Sequence, residues 1–181
     1  MKHSSSYTNS KGFSMLELMI AVAVISILAA IGLSSFLSSY TDRRLRLAAI
    51  ELSTALATAR EIANKELPGT NSCRIVQTLT ASTATITSTA QDCSGSPIET
   101  PLPSANLKDI SGLTNLTVDA NRTFTFIYGG LSTNGTDTEQ TVRLSESSTT
   151  TSYCINLTLP SSIVRIGSAQ GTSACNYQRT I

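Results

Sequence analysis

Glu17 is the residue whose chemistry asks for an explanation, because it is the one charge beside an apolar run that extends from Leu18 to Leu37. An ionisable group near the start of a membrane helix costs on the order of 2.5–3.5 kcal/mol on insertion scales unless it finds a partner. A cut between Gly12 and Phe13 would create one. The new α-ammonium would lie four residues before Glu17, on the same face of a helix, within reach of its own carboxylate or that of a neighbouring chain. The other reactive side chains are four cysteines, Cys73, Cys93, Cys154 and Cys175. The only histidine is His3, and no glycine-rich phosphate loop or paired acids accompany it. That inventory argues against an enzyme and implies no cofactor.

The elements that must position these residues begin with the apolar run. At ~1.5 Å per residue, some 20 residues are enough to cross a hydrocarbon core of about 30 Å. Beyond it Leu45, Ala48, Ala49, Leu52, Leu56, Ala59, Ile62 and Ala63 recur at three- and four-residue spacing, the pattern of a helix that lays one face on a folded domain. Pro68-Gly69 ends this pattern, so one helix of about 55 residues, or ~80 Å, is expected. Gly32, Ser34-Ser35 and Ser38-Ser39 are places where it could loosen. Asp42, Arg43, Arg44 and Arg46 form a charged collar, read as a solvated face or membrane-surface contact, with pairing to a neighbouring subunit's acids as the alternative.

The short basic leader ending in glycine, then phenylalanine, then a glutamate at the fifth place of an apolar helix resembles the class III signal of type IV pilins and pseudopilins. The resemblance implies that a prepilin peptidase cleaves at Gly12–Phe13 and methylates the Phe13 amine. It also implies that Glu17 is the assembly carboxylate and that the helix serves first as anchor and then as filament core. Its localisation would be the inner membrane, single pass, with a periplasmic C-terminal domain, followed by a pilus or pseudopilus. Two plainer readings compete: a secretory signal cut near Ala30, and an uncut signal anchor. The first is disfavoured by an apolar run longer than the 7–15 residues of a removable signal core.

Past Pro68 the pattern changes to short alternating segments rich in Thr, Ile, Val, Phe and Tyr. Strands are expected near 73–79, 84–89, 113–119, 123–128, 140–144, 153–159 and 163–167, with a loop from Gln91 to Leu113 and turns at Gly129-Gly130 and Asn134-Gly135. Phe124, Phe126 and Tyr128 share one face of their strand, which should pack on the helix. The fold class is therefore α+β, a long N-terminal helix packed on an antiparallel β domain, pilin-like. Its parts are a leader at 1–12, a transmembrane half at 13–37, an amphipathic half at 38–67 and an extracytoplasmic β domain at 68–181.

The chain of 181 residues carries 13 basic and 12 acidic side chains. Loss of the leader removes Lys2 and Lys11 and leaves 11 against 12, so bulk attraction to nucleic acid or anionic lipid is not indicated. All four cysteines fall on the side that the basic leader sends across the membrane, into an oxidising compartment. Of three pairings, Cys73 with Cys93 and Cys154 with Cys175 are favoured because each closes a local loop. Zinc is disfavoured for want of a C-x-x-C pair and of histidine in the mature chain. Asn134, Asp137 and Glu139 offer oxygen ligands for calcium, but without the EF-hand pattern a polar turn is the simpler reading.

The order of a long helix, hairpins, a phenylalanine strand followed by Gly-Gly-Leu-Ser, and a late Leu-Pro-Ser-Ser-Ile-Val-Arg-Ile strand pair resembles the GspH/FimT type of minor pilin. FimT-like members implicated in DNA uptake carry a Gly-Arg-x-Arg turn between their last strands. The matching residues here are Ser162-Ile163-Val164-Arg165, with one arginine of the two. Arg165 and Arg179 are the candidate DNA contacts. The expected function is a minor pilin or pseudopilin of a type IV pilus; a type II secretion pseudopilin or a DNA-binding minor pilin is the alternative. The implied partners are other pilins, prepilin peptidase and the inner membrane.

Overall fold

The computed structural model describes residues 12–66, 72–98, 104–132, 139–159 and 161–180. Helix α1 spans Met15–Glu66 without a break across Gly32 and the serine pairs, so they do not interrupt it. The helix stops short of Pro68-Gly69, which lie outside the described residues together with the leader to Lys11. Residues up to Leu37 form one compact unit and residues from Ser38 another.

In the second unit, β1 (Ser72–Thr80), β2 (Thr85–Asp92), β3 (Pro97–Ile98), β4 (Ala105–Asn106), α2 (Leu107–Ser111), β5 (Leu116–Val118), β6 (Arg122–Ile127), β7 (Gly130–Ser132), β8 (Glu139–Glu146), β9 (Thr151–Thr158), β10 (Ile163–Gln170) and β11 (Asn176–Thr180) follow in order. They form two antiparallel sheets, β3-β2-β1-β6-β7 with β4 beside β2, and β11-β10-β9-β8-β5. The class is α+β.

One core joins α1 to both sheets. Leu45, Ala48, Ala49, Leu52, Leu56, Ala59 and Ala63 are buried with Ile75, Leu79, Phe124, Phe126, Val142, Leu144 and Ile155, and Ile62 is partly buried beside them. The small alanines between leucines let the helix axis approach the sheets closely, and the leucines fill the space between. Four hydrogen bonds to α1 residues fix the helix on this bed, and a fifth holds Gln77 to the neighbouring strand. Gln77 Nε2 donates to the Ala55 carbonyl (2.9 Å) and to Ser88 Oγ (3.0 Å); the Gly129 amide donates to Asn64 Oδ1 (3.1 Å). Arg44 Nη1 donates to the Ser111 carbonyl (2.7 Å), and the Tyr153 hydroxyl to Asp42 Oδ2 (3.4 Å).

Three expectations change. The stretch from Gln91 to Leu113 is more than a loop, since it holds β3, β4 and α2. Asn106 caps α2 by accepting from the Lys108 amide (3.1 Å), and Gly112, at φ 66°, closes it; a helix of five residues is too short to repeat an apolar period. Tyr128 does not join Phe124 and Phe126 in the core. Its strand ends at Ile127, and the tyrosine is 67% exposed in the turn before Gly130. The last strand, β11, was not expected, because its polar sequence has no apolar alternation. The Asn134-Gly135 turn lies outside the described residues.

Candidate functional site

In the first unit, Gly12, Phe13 and Ser14 precede α1 and are exposed. Ser14 is the helix cap: its Oγ accepts from the Glu17 amide (3.4 Å) and its carbonyl from the Leu18 amide (3.2 Å). Ser14 and Glu17 thus occupy the first and fourth places of the S-x-x-E signature of a helix start, a signal present in the sequence and not used above. Glu17 sits in the first turn, where a carboxylate also complements the positive end of the helix dipole. The helix begins after Phe13, which therefore does not share a helical face with Glu17 in the uncut chain. The Ser14 cap is the physical reason. Among the described residues Glu17 has no ion pair.

The side chains that follow are turned outward. Phe13, Met15, Leu16, Met19, Ile25, Ile27, Leu28 and Leu33 are all more than half exposed, and so is Phe36. The one hydroxyl in the middle of this run, Ser26, donates back to the Val22 carbonyl (2.7 Å), so it presents no unsatisfied donor to an apolar medium. By length and composition α1 is able to cross a membrane.

In the second unit, Cys154 on β9 is bonded to Cys175, which precedes β11, with Cα atoms 6.2 Å apart. The bond ties the C-terminal segment to the sheet. Arg143 reinforces it, donating to the Ser173 carbonyl and to Cys175 Sγ (3.5 Å). Gly167 permits the close approach, since a Cβ there would stand 2.6 Å from the Asn176 carbonyl oxygen. Cys93 is disulfide-bonded; the expected partner, Cys73, has a side chain outside the described residues.

The candidate DNA contacts are not brought into register. Arg165 is exposed on β10, but its cross-strand partner on β11 is Thr180, and Arg179 is opposite Ile166. The Arg179 side chain lies outside the described residues. Of the calcium candidates, Glu139 is engaged by Asn156 Nδ2 (3.0 Å), while Asn134 and Asp137 lie outside the described residues. Among the described residues no three His, Cys, Asp or Glu side chains gather as metal ligands would.

The collar divides. Arg43 and Arg46 are exposed. Arg44 lies over the Tyr40 ring, 4.7 Å from its centroid, and reaches α2, while Asp42 takes the Tyr153 hydroxyl. Burial and the Asp42 charge raise the Tyr153 pKa above its ordinary value. Arg44 and Gln77 are the docking residues that sequence periodicity missed, because their partners are distant in the chain.

Comparison with curated proteins and with solved structures gives no match. Residues 7–33 match the prokaryotic N-terminal methylation motif, a segment that contains Gly12, Phe13, the Ser14 cap and Glu17. That motif stands at the head of a membrane-capable helix followed by antiparallel sheets, an arrangement consistent with a pilin-like fold.

Proposed function

We propose that the protein is a minor pilin or pseudopilin, a non-catalytic filament subunit that takes part in assembling a type IV pilus. The observation that carries this reading is the methylation motif over residues 7–33 standing at the head of a helix whose first half is uncovered. On this reading prepilin peptidase cuts the exposed Gly12–Phe13 bond and methylates the Phe13 amine. The apolar half of α1 anchors the subunit in the inner membrane and then enters the filament bundle, with Glu17 setting the register against a neighbouring N-terminus. The β domain faces the periplasm and then the filament surface. Its element order supports the GspH/FimT-like type.

Glu17→Ala is expected to leave processing intact and to lower incorporation into sheared filaments; normal incorporation would remove the assembly role. Cells lacking the gene are expected to lose surface pili while exporting protein normally. Normal pili with failed export would instead make the protein a pseudopilin of a type II secretion system, which uses the same signal. The exposed Arg165 favours a further DNA-contacting role only if Arg165→Ala abolishes salt-sensitive DNA retention.

A further inference from the structure

The outer face of the second sheet carries the disulfide. On β9, Tyr153, Ile155 and Leu157 turn to the core, and the alternation of a strand turns Ser152, Cys154 and Asn156 the other way. All three are nevertheless buried, Cys154 completely. The C-terminal segment lies over them: Cys175 is bonded to Cys154, and the Tyr177 hydroxyl stands 3.4 Å from Thr141 Oγ1, which accepts from Asn156 Nδ2 (3.1 Å).

The two sulfurs of the bond are unlike. Cys154 is closed off, whereas Cys175 is partly exposed and follows three exposed residues, Thr172, Ser173 and Ala174. Thiol–disulfide exchange needs access to the sulfur that is attacked, and only Cys175 offers it. Attack there expels Cys154 as a thiolate, a charge created in a buried place that is costly unless a cation stands beside it.

Arg143 supplies that cation. It is the direct partner of Cys154 in the β8–β9 register, so the two side chains leave the sheet on one face, and its Nη2 donates to Cys175 Sγ (3.5 Å). On the other side of Cys154 stands Gly167, which has no side chain to intervene. Arg165, two residues from Gly167 on the same face, adds a second positive charge. The described acids beside Arg143 are engaged elsewhere, Glu139 by Asn156 (3.0 Å) and Asp119 by Arg122 (3.4 Å).

We propose that Cys175 is the exchange site of this disulfide and that Arg143 carries the charge of the departing sulfur. The thiolate of a partner attacks Cys175 Sγ, a new S–S bond forms there, the Cys154–Cys175 bond breaks, and Cys154 leaves with the electron pair as a thiolate beside Arg143. The reverse sequence makes the bond. The Cys154 thiolate attacks Cys175 Sγ of the mixed disulfide and returns the electron pair to the partner's sulfur, so no further oxidant or reductant is consumed. Opening leaves the C-terminal segment held by the pairing of β11 with β10. This chemistry stands apart from the filament reading.

The test follows opening of the full chain in detergent with dithiothreitol as the probe, read at the peptides that carry Cys154 and Cys175. Arg143 also ties down the Ser173 carbonyl, so a purely structural role and the proposed one predict opposite signs. Loss of a clamp speeds opening, and loss of the cation slows it. Arg143→Gln is expected to open about tenfold more slowly than wild type at equal thiolate concentration, with Arg143→Lys recovering most of the rate, because exchange slows as the leaving thiolate loses its stabilisation. Equal or faster opening of Arg143→Gln overturns the proposal. If that variant does not fold, the chain with Arg143 intact and one cysteine of the pair left decides. Glutathione disulfide is expected to modify Cys175 in Cys154→Ser on the order of 100-fold faster than Cys154 in Cys175→Ser, and the two at similar rates in denaturant. Similar rates in the folded chain overturn the proposal.

Discussion

The first half of α1 is much richer in apolar residues than the second, and the two meet opposite fates. From Met15 to Leu37 large apolar side chains stand in the open on every side, with Leu28 at 63% and Met15 at 84% exposure. From Leu45 to Ala63 a single stripe is buried to within 2% of completely, while Leu47 and Ile50 on the other side remain partly exposed. A helix that is apolar all round needs an apolar surrounding, whereas a helix with one apolar stripe needs only one surface. The second half is supplied with that surface by its own sheets. Among the described residues nothing covers the first half; on the proposed reading a membrane, and then the helices of other subunits, cover it.

The largest expected effect separates the halves directly. Leu52→Ala, at a fully buried site, should destabilise the domain by about 2–5 kcal/mol through lost contacts and a residual cavity. Leu28→Ala should change the same unfolding transition by less than about 0.5 kcal/mol. Denaturant unfolding of both variants in detergent checks the contrast, and equal losses would mean that the halves are not distinct in this way.

Next in size is the disulfide between Cys154 and Cys175, 21 residues apart. Replacing both cysteines by alanine should lower stability by about 3 kcal/mol on the chain-entropy estimate. Detachment of the C-terminal segment should accompany it, visible as faster hydrogen exchange at Asn176–Thr180 with β9 still protected. Uniform loss of protection would place the disulfide's role in the whole sheet.

The smallest effect concerns a turn on the surface of the second unit. The Asp92 carboxyl is held below its ordinary pKa, first by the Ser94 hydroxyl and then by the Ser96 amide. A depressed carboxyl contributes stability above its unfolded pKa of about 3.9 and loses it as pH falls through the folded value. The melting temperature of wild type should therefore exceed that of Asp92→Asn at neutral pH, and the gap should close as the solution is acidified below about pH 4. A gap independent of pH would assign the turn to hydrogen bonding without charge.

What the sequence made legible follows the same division. The N-terminal signal could be read because a carboxylate beside an uninterrupted apolar run is costly and so conspicuous. The buried stripe could be read because seven of its eight positions, all but Ile62, are fully covered by sheets that the strand pattern also revealed. Short elements escaped: α2 has five residues, defined by Asn106 and Gly112 rather than by any period. Long-range polar docking escaped as well, since nothing local links Arg44 to Ser111, 67 residues away. The strand register that sets Arg165 opposite Thr180 escaped too, since the irregularity between Ile166 and Ser168 in the β10–β11 pairing is encoded by no spacing in the sequence.

Cleavage between Gly12 and Phe13 is the first step of the proposed assembly. Intact-mass and N-terminal fragment analysis of the protein isolated from membranes tests it most directly. The expected product begins at Phe13, carries one methyl group on its α-amine, and keeps the whole of α1. A chain that begins near Ala30 would mean an ordinary secretory signal, one that retains its first residues would mean an uncut anchor, and either would contradict the prepilin reading.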